Sequence, residues 1–453
     1  MFELLTHNEF SLTKTVIVLL AVAILASWDL MQRIKNRNAH YLFACILGTI
    51  LSAGFIGFTD LLFTSAPKTD GFLMAFGLLL ILIAWRLLFG PWETETKATI
   101  LGSFVFWITL HILWNEPPEM RLAHIIAITV ALLPAVVWCA LFLGYHRERL
   151  SRVFLMFFAG MLSTAPILFY DVLVRRGIEM HFFLFKIVPE SFGNNTERFM
   201  AVQFPGVTGV PRTLLSVFLS FLIVGLIEEL SKYWVLRKSG QKVFASIDDV
   251  MQLAIIVAIG FAFAENIANQ GYFLSFVREY LLSSERDIAG FFGNVIGRSV
   301  LTSMVHIVST GVMGYFLGLA IFAGPYLEER RARGVTHSMA TYIAGLLRLR
   351  TKSVFQVQML TCGFVAAIVL HALSNFLVTL PDILPGNPRT FGDLFQLSSE
   401  SFLQYLSILV VPALLYVVGG FWLLTMLFAR KENMKIRGHI ISSDSFVTTE
   451  ETA

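Results

Sequence analysis

Acidic and basic side chains occur inside apolar segments in the second half of the sequence. Glu228 and Glu229 are adjacent within FLSFLIVGLIEELSKYWV, and Lys232 follows in the same segment. Helical spacing of four residues puts Glu228 and Lys232 on one face, so these two side chains can pair. Glu229 points about 100° away, toward a different neighbour. An ionisable side chain inside a membrane span costs roughly 2.5–3.5 kcal/mol and therefore predicts a functional role.

Three further apolar segments carry isolated polar side chains. Glu265 and Asn266 lie in GFAFAENIAN, and His306 lies in SVLTSMVHIVSTG. His371 and Asn375 lie four residues apart in FVAAIVLHALSNFLV, and so share a helix face. Each group alone has a structural alternative, namely an ion pair that lowers the insertion cost, a histidine bonded to a nearby hydroxyl, or a polar clamp between helices. Acids and imidazoles on four consecutive spans favour convergence instead.

Convergent carboxylates and imidazoles support two kinds of chemistry, a site that activates water and a path for ions. They can bind Zn²⁺ with one open position, which lowers the pKa of bound water to about 7. Without a metal, a buried glutamate could act directly as a general base. Asn375 could then orient a histidine or donate to an oxyanion.

The ordered set of these residues resembles the PrsW family of intramembrane proteases, which is distantly related to the CAAX prenyl proteases. The family pattern is E-E-x-x-K, F-A-x-x-E-N, an isolated histidine and then H-x-x-x-N. In this sequence it corresponds to Glu228 to Lys232, Phe261 to Asn266, His306, and His371 to Asn375. The resemblance covers about residues 205–430 and implies hydrolysis of a peptide bond in or beside the membrane.

The resemblance also implies roles for individual residues. Glu228 or Glu229 would activate water, and Asn375 would support His371 or the oxyanion. The implied site residues are the catalytic Glu228, Glu229 and Asn375, the metal ligands Glu265, His306 and His371, and the supporting Lys232 and Asn266. Zn²⁺ is the expected metal, and a metal-free glutamate mechanism is the alternative.

Composition restricts the class of protein. Hydrophobic residues make up 56% of the 453 residues and charged residues only 14%, whereas soluble domains contain about 25% charged residues. This balance excludes a water-soluble protein, a disordered chain and a disulfide scaffold. The net charge of +3 gives no basic field that would indicate nucleic acid as a partner. The sequence therefore predicts an all-α polytopic integral membrane protein.

Apolar segments of about 20 residues predict about eleven transmembrane helices. They lie at 13–31, 41–63, 71–89, 98–115, 122–144, 153–173, 213–236, 250–273, 299–323, 354–379 and 402–428. If the N-terminus lies outside, most Lys and Arg residues of the short connections fall on the cytoplasmic side. This bias predicts an N-out, C-in orientation.

The sequence divides near residue 205. Residues 1–204 form six predicted spans with a long outer loop near 174–212 and are expected to be regulatory or accessory. Residues 205–430 form a five-span PrsW-like protease core, and residues 431–453 read as a disordered cytoplasmic tail.

The predicted span ends also set the depth of each site residue. At 1.5 Å per residue, Glu265, His306 and His371 lie roughly 11–12 Å from the outer end of their spans. Glu228 lies roughly 22 Å from the outer end of its own span, about 10 Å deeper than the others. The similar depths of Glu265, His306 and His371 predict a site open toward the outer leaflet. Glu228 can reach this depth only if its helix is shifted outward or the predicted helix ends are wrong.

We therefore expect an intramembrane endopeptidase of the cell membrane, either the plasma or the inner membrane, with a membrane-anchored protein as substrate and the lipid bilayer as surroundings. Two alternatives are a proton- or ion-coupled transporter and a non-catalytic membrane scaffold. A transporter predicts repeats between the two halves, whereas the polar residues occur in one half only. The sequence leaves the oligomeric state open.

Overall fold

The computed structural model describes residues 41–64, 71–177, 180–182, 185–187, 190–269, 271–282, 287–332 and 338–436, together with the single residues 27, 31 and 334. The helices of the first half are α1 Tyr41–Thr64, α2 Gly71–Leu88, α3 Thr94–Asn115, α4 Pro118–Tyr145, α5 Leu150–Leu162, α6 Ala165–Arg176 and α7 Phe192–Gln203. An antiparallel hairpin of two strands, β1 Met180–Phe182 and β2 Phe185–Ile187, lies between α6 and α7.

The second half of the described chain is also helical. Its α-helices are α8 Gly209–Gly240, α9 Ile247–Ala268, α10 Phe273–Leu282, α11 Ile288–Gly297, α12 Ser303–Ile321, α13 Ala323–Ala332, α14 Ser338–Leu347, α15 Thr351–Ile383, α16 Phe391–Leu394, α17 Val410–Ala413 and α18 Gly420–Ile436. π-Helical turns at Arg298–Thr302 and Leu414–Gly419 join α11 to α12 and α17 to α18, and a 3-10 turn spans Phe402–Tyr405.

The all-α polytopic membrane fold is confirmed. Within the described residues, nine helices or helical runs are long and apolar enough to cross a membrane, and each overlaps one predicted span. The predicted span 71–89 corresponds to α2, of which Leu79–Leu88 forms a shorter apolar stretch. The predicted span 13–31 lies outside the described residues, apart from Ser27 and Met31. The N-out orientation stays a prediction.

Several helix ends differ from the predicted spans because a helix can continue beyond the apolar core of a bilayer. The run that matches the ninth predicted span begins at Ile288 rather than at 299, because the helix continues on the N-terminal side of Arg298 through α11 and a π-helical turn. The last run begins at Val410 rather than at 402, because residues 402–405 form a 3-10 turn in the preceding connection.

Two predicted irregular segments contain regular structure. The predicted outer loop near 174–212 contains the β1–β2 hairpin and α7, whose first turn is capped by the Ser191 side chain. The predicted tail begins inside α18, which continues to Ile436, and its remaining residues lie outside the described part of the chain.

The chain divides into two compact units. One contains the described residues of 1–122, 149–159 and 178–188, and the other contains 123–148, 160–177 and the described residues from 190 onward. In the first unit α1 packs closely on α3, because a Cβ at Gly48 would lie 2.6 Å from the Ile100 carbonyl oxygen. The predicted functional division near residue 205 stays a prediction.

The second unit is built around α9 and α12, which are almost entirely buried. Close contact between them depends on three glycines of α12. A Cβ at Gly314 would lie 2.5 Å from the Ala254 Cβ, and one at Gly318 would lie 3.0 Å from the Ile247 Cα. Small residues of this kind let helices approach closely in the absence of a hydrophobic driving force. Helix α15 packs on both α12 and α8, which completes the set of helices that carry the polar residues.

Candidate active site

Helix α8 contributes three charged side chains to the interior of the second unit. Glu229 and Lys232 are fully buried, and Glu228 is 6% exposed. The Lys232 ammonium donates to Glu229 Oε1 over 2.7 Å and lies 3.8 Å from Glu228 Oε2. It also lies 4.0 Å from the ring centre of Phe261. Lys232 therefore pairs most directly with Glu229, three residues away, and less closely with Glu228.

Glu229 is held from three sides. Its Oε1 accepts hydrogen bonds from Lys232 and from His371 Nδ1, the latter over 3.0 Å. Its Oε2 accepts from the Thr310 hydroxyl over 2.9 Å. Both carboxylate oxygens are therefore occupied by donors from α8, α12 and α15, and the carboxylate fixes the relative positions of these helices.

His306 joins this cluster to the end of α9. Its Nδ1 lies 3.0 Å from the Lys232 ammonium, and its Nε2 lies 2.9 Å from Glu265 Oε2. Arg298 donates to Glu265 Oε1 and to Asn266 Oδ1, each over 3.2 Å. Glu265 is therefore paired on both oxygens.

The depth difference expected for Glu228 does not occur. Glu228 lies nineteen residues after Gly209, and His306 lies eighteen residues after Ile288. At 1.5 Å per residue both lie about 27–29 Å from the start of their helical runs. For His306, the apparent mismatch arose because the ninth span was predicted to begin eleven residues too late.

Glu228 differs from its neighbours because its Oε2 is buried and accepts no hydrogen bond from the described residues. His371 Nε2 lies 3.5 Å from this oxygen and His306 Nδ1 lies 4.0 Å from it. A neutral His371 donates its Nδ1 proton to Glu229, so its Nε2 presents a lone pair toward Glu228. Two electron-pair donors thus face each other, which favours a cation or a water molecule between them.

A metal ion fits this set of residues. Glu228, His306 and His371 offer one carboxylate and two imidazole atoms within 4.8 Å of one another. Ligand bonds of 2.0–2.2 Å need ligand atoms about 3.4 Å apart, so small movements suffice. The three carboxylates face two cations, Lys232 and Arg298, which leaves one uncompensated negative charge when the histidines are neutral. A bound cation would compensate this charge and would displace Lys232 from His306 Nδ1.

The grouping differs in two respects from the set that the resemblance implied. Glu228 offers a ligand atom within 4.8 Å of atoms of both imidazoles, whereas Glu265 contacts His306 Nε2 and Arg298. Glu265 as a metal ligand stays a prediction. Asn375 lies one turn after His371 and is half-buried, and its side-chain amide has no recorded hydrogen bond among the described residues. Its predicted role beside His371 therefore stays a prediction.

The sequence pattern did not identify two residues that contact the carboxylates of the cluster, Thr310 and Arg298. Thr310 lies four residues after His306, and this helical spacing is a signal that could have identified it. Arg298 lies at the edge of a predicted span, and its separation of eight residues from His306 does not match the period of an α-helix.

Comparison with known proteins identifies one match. Residues 148–337 match the family model described as PrsW family intramembrane metalloprotease. The matched segment includes Glu228, Glu229, Glu265 and His306 and ends before His371. No curated protein and no solved structure matches the chain.

Proposed function

From the match of residues 148–337 to the PrsW family of intramembrane metalloproteases, we propose that the chain hydrolyses a peptide bond of a membrane-anchored protein at the buried cluster around Glu228. The observation that carries this proposal is the unpaired Glu228 Oε2, which faces His371 Nε2 and His306 Nδ1. All three residues lie in candidate membrane spans, so the scissile bond must enter the membrane or lie beside it.

When no metal is bound, Glu228 is the residue that holds and deprotonates the attacking water. Its Oε2 is available, whereas both oxygens of Glu229 are occupied by Lys232, His371 and Thr310. A general base must lie within hydrogen-bonding reach of the proton it accepts, and an occupied carboxylate has less capacity for this role. Glu229 therefore orients His371 and Lys232, and Glu228 performs the proton transfer in the metal-free mechanism.

The metal of this family would be held by Glu228, His306 and His371. A donor set of two imidazoles and one carboxylate suits Zn²⁺ and leaves a fourth position open. A bound zinc ion would supply a Lewis acid that lowers the pKa of its water to about 7. Glu265 then orients His306 from the side of the ring opposite Nδ1, since its Oε2 accepts a hydrogen bond from Nε2.

Lys232 provides the positive charge nearest to the reacting groups. Its ammonium lies 3.8 Å from Glu228 Oε2 and is fully buried, so water does not screen it. An oxyanion that develops beside Glu228 would be stabilised by this charge. Asn375 as an additional oxyanion donor stays a prediction.

The substrate class follows from the position of the cluster. A membrane-anchored protein can present its peptide bond to a site inside the spans, whereas a folded soluble protein cannot. We place the enzyme in the cell membrane, either plasma or inner, as a multi-pass protein. The role of the six N-terminal spans in selecting substrates is part of the same proposal.

The test uses the full chain reconstituted in liposomes with single-span reporter proteins that carry randomised transmembrane and flanking segments. New N-termini are identified by mass spectrometry for the wild type, Glu228→Gln and His371→Ala. We expect cleavage by the wild type and a loss of at least 100-fold in both variants, because each substitution removes a group that holds the attacking water.

His146→Ala serves as the control, because His146 lies at the end of α4 and outside this cluster. It should retain wild-type cleavage. Full activity in both Glu228→Gln and His371→Ala, or no cleavage of any reporter by the wild type, would contradict the proposal.

A further inference from the structure

A π-helical turn precedes His306. Residues Arg298–Thr302 form this turn between α11 and α12. Eight residues separate Arg298 from His306, and in a regular α-helix this spacing would place their side chains about 80° apart. A π turn accommodates one residue more than an α turn, so the spacing acts as seven residues, which is about two full turns. The π turn therefore brings Arg298 onto the helix face that carries His306.

Arg298 and His306 meet at one carboxylate. Arg298 Nη2 donates to Glu265 Oε1 over 3.2 Å, and His306 Nε2 lies 2.9 Å from Glu265 Oε2. Arg298 also donates through Nε to Asn266 Oδ1, and its guanidinium lies over the Tyr272 ring, 3.1 Å from the ring centre. The guanidinium is therefore fixed by two acceptors and one aromatic face.

The hydrogen bonds of His306 define which of its nitrogens carries the proton. Lys232 is an ammonium without a lone pair, so His306 Nδ1 must accept its hydrogen bond. In a neutral ring the proton is then on Nε2, where it is donated to Glu265 Oε2. This tautomer leaves the Nδ1 lone pair directed toward the cluster that contains Glu228.

We propose that Arg298 is a positioning residue that acts through Glu265 to hold His306 in this tautomer and orientation, an inference that rests on the proposed function. Glu265 is the most exposed of the three carboxylates, at 17% of its side chain. Without Arg298 its carboxylate can rotate into the neighbouring space, and His306 Nε2 loses a fixed acceptor. Partners of this kind commonly affect activity by 10–100-fold when they are removed.

An arginine is required because one planar group must reach two acceptors on consecutive residues, Glu265 and Asn266. A lysine would preserve the charge but would not provide two parallel donors in a fixed plane. Arg298→Lys therefore separates the positioning role from the charge.

The kinetic test uses the reporter that the wild type cleaves fastest. We expect kcat to fall by 10–100-fold in Arg298→Lys and in Arg298→Gln, with KM within twofold of the wild type. The matched control is Arg278→Lys in α10, an exposed arginine that should leave both constants unchanged. If the Arg298 variants do not fold, Tyr272→Leu removes the aromatic face and the hydroxyl beside Arg298 and should lower kcat by two- to fivefold.

A spectroscopic test is independent of any substrate. Nitrogen-15 spectra of histidine-labelled, chelator-treated protein report the tautomer of each ring, and His306→Asn identifies the His306 signals. We expect one tautomer with the proton on Nε2 in the wild type and in Arg278→Lys, and a mixture in Arg298→Lys. For Tyr272→Leu, a smaller shift in the same direction is expected.

The outcomes separate the two proposals. A single unchanged tautomer and an unchanged kcat in Arg298→Lys, alongside an inactive Glu228→Gln, would overturn the positioning role alone. Full activity of Glu228→Gln would contradict the proposed function, and the tautomer spectra would still decide whether Arg298 positions His306.

Discussion

Two groups of histidine and carboxylate residues in the described part of the chain bring possible ligand atoms within 4.8 Å of one another. The first is the central cluster, Glu228, His306 and His371. The second, which we call the α9-end cluster, contains His146, Glu148 and Asp249. The central cluster is buried, whereas the His146 side chain is 30% exposed.

The two clusters differ in how their carboxylates are used. In the α9-end cluster, Asp249 Oδ1 lies 2.5 Å from His146 Nε2, and Oδ2 accepts from the Ala245 backbone N–H. Both oxygens are therefore engaged, one by the His146 side chain and the other by the backbone that precedes α9. In the central cluster, Glu228 Oε2 is unpaired. The comparison teaches that suitable residue types in close proximity are insufficient, and that an available electron pair distinguishes a reactive site from a structural one.

Position along the helix explains this difference. The first four N–H groups of a helix have no partner within the helix, so a carboxylate at that end finds backbone donors. Asp249 lies in the first turn of α9 and accepts from the backbone N–H of Ala245, two residues before the helix begins. Glu228 lies in the middle of α8, where the backbone groups bond to each other. Its partners must therefore be side chains or a bound species, and within α8 the nearest is the Lys232 ammonium, 3.8 Å away.

The largest predicted effect on stability is that of Lys232→Met. It leaves the fully buried Glu229 without its closest cation, and breaking a buried pair in this way costs about 3–5 kcal/mol. Unfolding of purified protein in detergent would measure the loss. Lys238→Met, an exposed lysine of the same helix, and His146→Ala in the α9-end cluster should each cost about 1 kcal/mol or less. Equal losses in all three variants would remove the distinction between the clusters.

The next effect concerns metal affinity. Glu228→Gln should weaken Zn²⁺ binding at least 100-fold, about 2.7 kcal/mol, because it replaces the unpaired carboxylate by a neutral amide. Asp249→Asn makes the same chemical change in the α9-end cluster and should alter the affinity less than threefold. Competition with a chromogenic chelator measures both constants. A larger loss in Asp249→Asn would reverse the assignment of the metal site.

The sequence predicted the fold well because apolar length identifies a membrane span almost independently of tertiary structure. Helix ends were less accurate, since α8 and α15 extend for 32 and 33 residues and a bilayer needs only about 20. The residues that form the central cluster were also identifiable, because a charge in an apolar segment is conspicuous. Their grouping was not, since only packing shows that Glu265 is occupied while Glu228 is available.

Arg298 marks the limit of sequence reasoning most clearly. Periodicity arguments assume 3.6 residues per turn throughout a helix. This assumption does not hold at the π turn of residues 298–302, and no residue type in the segment predicts such a turn. A separation of eight residues therefore appeared to place Arg298 and His306 on different faces, although both contact Glu265.

A third prediction concerns the packing of α9 on α12. A larger distance between these helices should affect the contacts of the central cluster. In Gly314→Ala the added methyl would lie 2.5 Å from the Ala254 Cβ and 3.1 Å from the Met251 Cα. Overpacking of this kind costs about 1–3 kcal/mol and would move Glu265 on α9 away from His306 on α12. Unfolding and cleavage assays should both detect the change. Gly293→Ala in α11 has no atom within 4 Å and should be neutral or slightly stabilising.

The smallest effect is expected for Ser246→Ala, which acts on the α9-end cluster alone. The Ser246 side chain accepts a hydrogen bond from the Asp249 backbone N–H and so caps α9. Loss of an N-cap costs about 1 kcal/mol, and the unfolding midpoint should decrease accordingly. Because Asp249 keeps its bonds to His146 and Ala245, cleavage of the reporter should stay within twofold of the wild type. A tenfold loss of cleavage with unchanged stability would mean that the α9-end cluster takes part in the reaction, and the contrast between an occupied and an available carboxylate would no longer explain where the chemistry occurs.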